Sequence, residues 1–234
     1  MEVAGTEDGV TAFRYTHSYS YLEVQQQYVD CIESHNPNIL AQLVGKHPFH
    51  VDALLALSDI YQQMNELNTS QELVERCLYS LECAWHPWFA PGTATSRLPY
   101  KFEENQPFYQ CMFKHIKSLG RRGCHRSALE CCKLLLSLDP NDPMGVLCCI
   151  DYYAIMSEQY GLVTRLVNEF SDGSRSLALQ PGFAFALALS RFRQEEESKG
   201  GGSGRDRRGK GPAESSDSSM SGADRESSTT ALRA

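Results

Sequence analysis

No apolar run in these 234 residues approaches eighteen, so no membrane-crossing helix is expected. The first residues, Met1-Glu-Val-Ala-Gly-Thr-Glu-Asp-Gly9, lack the basic start and the apolar stretch of a signal peptide. An unexported chain sits in a reducing compartment, and nine cysteines, an odd number, cannot all pair within one chain. Reduced cysteines and a cytosolic or nuclear protein are therefore expected, neither secreted nor membrane-bound. Positive charge is in deficit: 22 Lys and Arg face 29 Asp and Glu, a net of −7. Most of it falls before residue 195, where fifteen basic residues face twenty-one acidic ones. So acidic a body argues against direct DNA binding, which needs a basic face.

Catalytic signatures are missing as well. There is no G-x-S-x-G elbow, no H-E-x-x-H helix, no P-loop and no G-x-G-x-x-G opening a helix. Gly200-Gly-Gly-Ser-Gly204 follows no strand and cradles nothing. No enzyme, no catalytic residue and no cofactor are expected. For a metal, Cys111 and His115 lie one helical turn apart, with Cys124-His125 opening the next helix, and thiolate and imidazole suit zinc. Yet there is no C-x2-C knuckle, and Cys131-Cys132 and Cys148-Cys149 fall at core-facing positions, where Cys acts as a small hydrophobe. No metal site is expected.

What is present is helical period almost throughout. Tyr21, Leu22, Val24, Tyr28, Val29 and Ile32 predict a helix over about 18–34. Pro37 opens a short second one, Val51 to Met64 form a third, and Asn68, Thr69 and Ser70 offer caps for a fourth. Residues 85–106, with prolines at 87, 91 and 99, read as an irregular insert. Helices resume over about 107–119, 127–138, 144–156, 160–170 and 183–192. The expected class is all-α, with a flexible N-terminus at 1–17, a helical domain at 18–193 and a disordered tail at 194–234. From Glu195 onward seven Gly and nine Ser surround only Met220 and Leu232 as large apolar residues, too little to offset chain entropy.

The helices repeat. Leu57 and Tyr61 keep the spacing of the tetratricopeptide pattern, with Ser58 as the small residue at the helix approach. Met112, Leu119, Ala128 and Pro140 occupy the corresponding positions of a second unit, Pro140 ending it. Tyr153 follows Val146, Cys149 and Ile150 in a third, where Leu162 departs from the pattern. Leu57, Tyr61, Ala128, Pro140 and Tyr153 are thus the expected packing residues of a degenerate tetratricopeptide-like α-solenoid; an irregular helical bundle is the alternative.

Three strings carry a resemblance: His47-Pro-Phe-His-Val-Asp-Ala-Leu-Leu-Ala-Leu-Ser-Asp59, Arg97-Leu-Pro-Tyr100 with Glu104-Asn105, and Arg122-Gly-Cys-His-Arg-Ser-Ala-Leu-Glu-Cys-Cys-Lys-Leu-Leu-Leu-Ser-Leu-Asp-Pro140. Over about residues 13–193 the chain resembles the transcription factor 25 family, whose fungal members are the first subunit of the ribosome quality control complex. The resemblance implies a non-catalytic scaffold working with a ribosome-associated ubiquitin ligase on stalled large ribosomal subunits, with ubiquitin a further contact. The family is also named for transcriptional repression, which supplies the alternative of a nuclear regulator acting through protein contacts. The Gly/Ser-rich end is expected to be unrelated to the family.

Two stretches are candidate partner contacts. Arg121, Arg122 and Arg126 end a basic run with Lys114, Lys117 and His125, where Gly120 and Gly123 bracket a turn. Projecting together, the three guanidinium groups suit phosphate or carboxylate; the plainer reading is a solvated helix end favoured by the helix dipole. Trp85, Trp88 and Phe89 in Trp85-His-Pro-Trp-Phe-Ala-Pro91 suit a partner, but folding back to fill the gap between hairpins is favoured.

Overall fold

The computed structural model describes residues 1–7, 9–170 and 176–200, with only the backbone for Lys199 and Gly200. The chain forms two units, Met1–Glu195 and Glu196–Ala234; of the second, the described part is the end of a helix. The tail expected to be disordered lies, from residue 201 on, outside the described residues.

The described residues are mainly helical: α1 (Tyr19–Glu33), α2 (Pro37–Lys46), α3 (Val51–Gln63), α4 (Leu67–Cys83), α5 (Gln106–Arg121), α6 (His125–Leu138), α7 (Ile150–Met156), α8 (Tyr160–Glu169) and α9 (Pro181–Gly200). Helix α1 begins where Ser18 Oγ accepts the Tyr21 N–H, and α2 where Asn36 caps it and Pro37 supplies its first residue. The caps proposed for α4 are displaced. That helix starts at Leu67, and Ser70 is buried inside the hairpin, its hydroxyl donating to Ser58 O at 2.8 Å. The small pair Ser58 and Ser70 thus meets between α3 and α4.

A single device joins the helices in pairs. Between α1 and α2, α3 and α4, α5 and α6, and α7 and α8 stand three residues, the middle one with positive φ: His35, Asn65, Gly123 and Glu158. In the last three turns the following N–H reaches back five residues, from Glu66 to Tyr61 O, Cys124 to Leu119 O and Gln159 to Ala154 O, at 2.8–2.9 Å. This is the Schellman ending, which satisfies carbonyls left open at a helix C-terminus. From α1 to α8 consecutive helices pack on one another, and α3 also meets α5 across the pair boundary. Of the residues expected to pack the repeats, Leu57, Ala128 and Tyr153 are buried, Tyr61 is half-buried, and Pro140 is exposed just past the end of α6.

Three expectations are corrected. Residues 1–17 are not a free arm: β1 (Glu2–Glu7) and β2 (Val10–Arg14) form an antiparallel hairpin, and β2 pairs in parallel with β3 (Ser96–Arg97) inside the insert. The reason is burial, since Phe13 is 1% exposed and Tyr15 is buried beside it. The helix expected over 144–156 is split into a 3-10 turn, Val146–Cys148, and α7; the Asp142 carboxylate accepts the N–H groups of Val146 and Leu147 there. Finally, α9 continues to Gly200, past the boundary expected at 193. It buries Phe183 and Ala186 and leaves Phe185, Leu189 and Phe192 exposed.

Candidate partner-binding site

The insert is built from its aromatic side chains outward. Phe89 is buried edge-to-face against Phe13 at 5.1 Å and against Trp85 at 5.2 Å. Trp85 Nε1–H donates to Tyr15 Oη at 3.0 Å, and the Tyr15 hydroxyl donates to Leu81 O at 3.3 Å. Burial raises the Tyr15 hydroxyl well above its ordinary pKa, so it stays protonated and able to donate. Trp85 and Phe89 therefore bind the insert to β2 and α4 and are engaged inside the chain. Trp88 differs: it is 77% exposed, its N–H donating to His86 Nδ1 at 3.2 Å and its ring edge-on to His86.

Asn105 holds this corner from the other side. Fully buried, it accepts the Tyr15 N–H through Oδ1 and donates through Nδ2 to Phe13 O and Pro99 O. Tyr109 closes the insert by donating to Leu98 O at 2.5 Å. Asn105 stood in one of the strings that carry the family resemblance, but its clamping role had no local signal, because its partners lie up to 92 residues away.

The arginines of the α5–α6 turn are all exposed but do not project together. Arg122 leans toward α4, with Nη1 3.7 Å from Glu75 Oε1. Arg121 lines a cleft on another side of α5, and Arg126 stands on the first turn of α6. Neither Arg121 nor Arg126 has an ion pair or hydrogen bond among the described residues. The divergence is geometric, since neighbours on a helix point about 100° apart at 3.6 residues per turn. Lys114 is spent internally, paired with Asp59 and bonded to Ser58 Oγ at 3.3 Å.

The residues weighed for zinc are dispersed in role. Cys111 is buried and donates to Val74 O at 3.3 Å, whereas Cys124 is exposed. The described residues hold no group of three His, Cys, Asp or Glu placed to bind a metal, and no helix among them is long and apolar enough to cross a membrane. All nine cysteines are free. The Cys77 thiol is pushed up by its hydrogen bond with Cys111 and by burial, which keeps it a neutral packing group.

Comparison with known proteins adds names to this geometry. The profile of the family described as transcriptional repressor TCF25 matches residues 13–234. That stretch includes the Gly/Ser-rich end, which was expected to be unrelated. The human ribosome quality control complex subunit TCF25 is 39% identical over 185 residues, covering 79% of this chain and 27% of the human protein. The mouse protein of the same name is 38% identical with the same coverage. Ribosome quality control complex subunit 1 of Schizosaccharomyces pombe is 34% identical over 176 residues, 75% of this chain and 27% of its own. The chain spans about a quarter of the length of these curated relatives. No solved structure matches.

Proposed function

The chain belongs to the transcriptional repressor TCF25 family, and from that membership we propose that it is a non-catalytic adaptor of the ribosome quality control machinery. Its hairpins stack as a degenerate tetratricopeptide-like solenoid and present side chains to a ribosome-associated ubiquitin ligase and the large ribosomal subunit. Ubiquitin is a further contact, and the outcome is ubiquitin-dependent degradation of nascent chains on stalled large subunits. One observation carries the reading: the mammalian and fission yeast relatives, matched over at least three quarters of this chain, are named as subunits of that complex. The recurring three-residue turn supports stacking, because a hairpin repeated in one form leaves one form of apolar face for its neighbour to cover. Arg121, Arg122, Arg126 and Trp88, exposed on the surface, are side chains available for partners. Such work fits a location in the cytosol, the nucleus or both.

Affinity purification of this chain, with and without residues 195–234, tests the reading. Recovery of the ligase and large-subunit proteins is expected; their absence overturns it. Changing Arg121, Arg122 and Arg126 together to Glu should leave melting nearly unaltered, since exposed charges contribute little to stability. It should also weaken co-sedimentation with large subunits at low salt. The second reading, a nuclear regulator acting through protein contacts, rests on the family's description as a transcriptional repressor, and recovery of chromatin factors alone would favour it.

A further inference from the structure

The face shared by α3, α5 and α7 holds an open cleft of about 460 Å³. Its α5 wall carries Lys114, Lys117 and Arg121, three cations on one side of a helix in a strongly acidic chain. Lys114 is neutralised by Asp59. Lys117 is exposed and sits over the Phe113 ring, 4.5 Å from its centroid, and Arg121 is exposed without a partner. Among the described residues neither has an ion pair. Two uncompensated cations therefore face one concavity.

The opposite wall is aromatic. Tyr152 is half exposed and held edge-on by His125 at 5.6 Å and by Tyr153 at 5.3 Å. Tyr153 forms the floor by entering the space at Gly120, where a Cβ would stand 2.7 Å from its hydroxyl and 2.9 Å from a ring carbon. Only glycine at 120 leaves the ring seated there. Lys117 and Arg121 lie four residues apart on α5, which separates them by about 6 Å along the axis. Alternate residues of an extended peptide share a face and repeat at about 6.6–6.8 Å. The two spacings match.

We propose that this cleft binds an extended acidic segment of a protein partner, whose carboxylates at alternate positions pair with Lys117 and Arg121 while its backbone lies against Tyr152. The proposal rests on the adaptor reading only in taking the partner to be a protein. Charge distribution favours a peptide over RNA: the surrounding body is net negative and Asp59 stands at Lys114 beside the cleft, so a continuous polyanion is repelled where a few carboxylates are not. The guanidinium fork of Arg121 grips a carboxylate through two parallel bonds, and the lysine adds a mobile point charge.

Fluorescence anisotropy with a labelled decapeptide of alternating Glu and Ser tests it, against an alternating Gln and Ser decapeptide and a ten-nucleotide oligouridine. The acidic peptide should bind, weaken as salt rises, and exceed the neutral one by about ten-fold or more. Lys117→Gln and Arg121→Gln should each lower its affinity several-fold, and the double variant should abolish binding. Lys46→Gln with Arg76→Gln, exposed on α2 and α4 and outside the cleft lining, should leave it unchanged, and circular dichroism melts check that every variant is folded. Equal binding of the neutral peptide, tighter binding of oligouridine, or full affinity in the double variant overturns the proposal. If the wild-type chain co-purifies with the ligase yet binds no acidic peptide, the cleft assignment falls and the adaptor reading stands. Peptide binding without co-purification gives the converse.

Discussion

His50 joins a cap, a ring stack and an orphaned atom in one side chain. It is 3% exposed, its Nδ1 accepts the Ala53 N–H at the start of α3, and its Nε2 has no partner among the described residues. Tyr21 stacks on it at 4.6 Å, and His17 stacks on Tyr21 at 4.4 Å. Burial lowers the His50 pKa below 6.5; His47 and His17 act in the same direction, and Asp52 opposes them. Protonation would put a hydrogen on Nδ1, where the Ala53 N–H already points. Its folded pKa being depressed, the neutral ring contributes fully above the unfolded value near 6.5, and that contribution is lost as pH falls below it toward the lowered folded value. His115, also lowered chiefly by burial, acts in the same sense. We predict that the melting temperature is level above about pH 7 and falls as pH is lowered below about 6.5. In His50→Asn, which keeps a capping oxygen without a titrating ring, the fall should be smaller; equal slopes in thermal melts would remove His50 from the account. Asn105 is the other critical side chain. Replacing it with Ala strands the Tyr15 N–H and two carbonyls, and should destabilise by about 2–4 kcal/mol in urea titrations. A cost under about 0.5 kcal/mol would mean that the clamp adds nothing.

Among elements, the repeated turn makes the sharpest test. Glu158 and His35 hold positive φ, +58° and +50°, at a cost that glycine does not incur. Glu158→Gly and His35→Gly should therefore each stabilise by up to about 1 kcal/mol, net of the extra freedom glycine gives the unfolded chain. Gly123→Ala, at +76°, should destabilise by a similar amount, and urea midpoints distinguish the signs. These turns also show what was legible beforehand. Gly123 announced its turn, whereas Glu158 and His35 carry no compositional mark of a left-handed residue. Amphipathic period located α1, α3 and α4 well, because a 3.6-residue repeat of apolar side chains is local information. The strands were invisible for the opposite reason. β3 is two residues long, and β2 is ordered by Asn105 and Phe89, which local reading cannot connect to it. The arginines were found as residues and misjudged as a group, since adjacency in sequence at 121 and 122 is divergence on a helix.

For the molecule as a whole, the outer stripe of α9 is the exposed liability. Phe185 is 77% exposed, and Leu189 and Phe192 continue its face at helical spacing. Contiguous apolar surface of this kind drives association, so light scattering at high micromolar concentration should detect self-association of the chain. Phe185→Ser with Phe192→Ser should suppress it without lowering the melting temperature, because neither ring is buried; a monodisperse wild-type monomer would count against the stripe. The clamp at the N-terminal sheet carries a different consequence, which lies in time. Tyr15 and its partner Asn105 stand 90 residues apart in the chain. At roughly 5–20 residues per second, synthesis leaves the β1–β2 hairpin without β3 and Asn105 for several seconds or more. The segment made earlier is thus secured later, and during that interval Phe13 and Tyr15 are open to chaperones and proteases. Nascent chains arrested with residues 1–90 outside the ribosome should be cut near β2, and those arrested with 1–140 outside should resist. A chain is safest once the latest of its partners has arrived, and here the strand's safety depends on the far end of the insert.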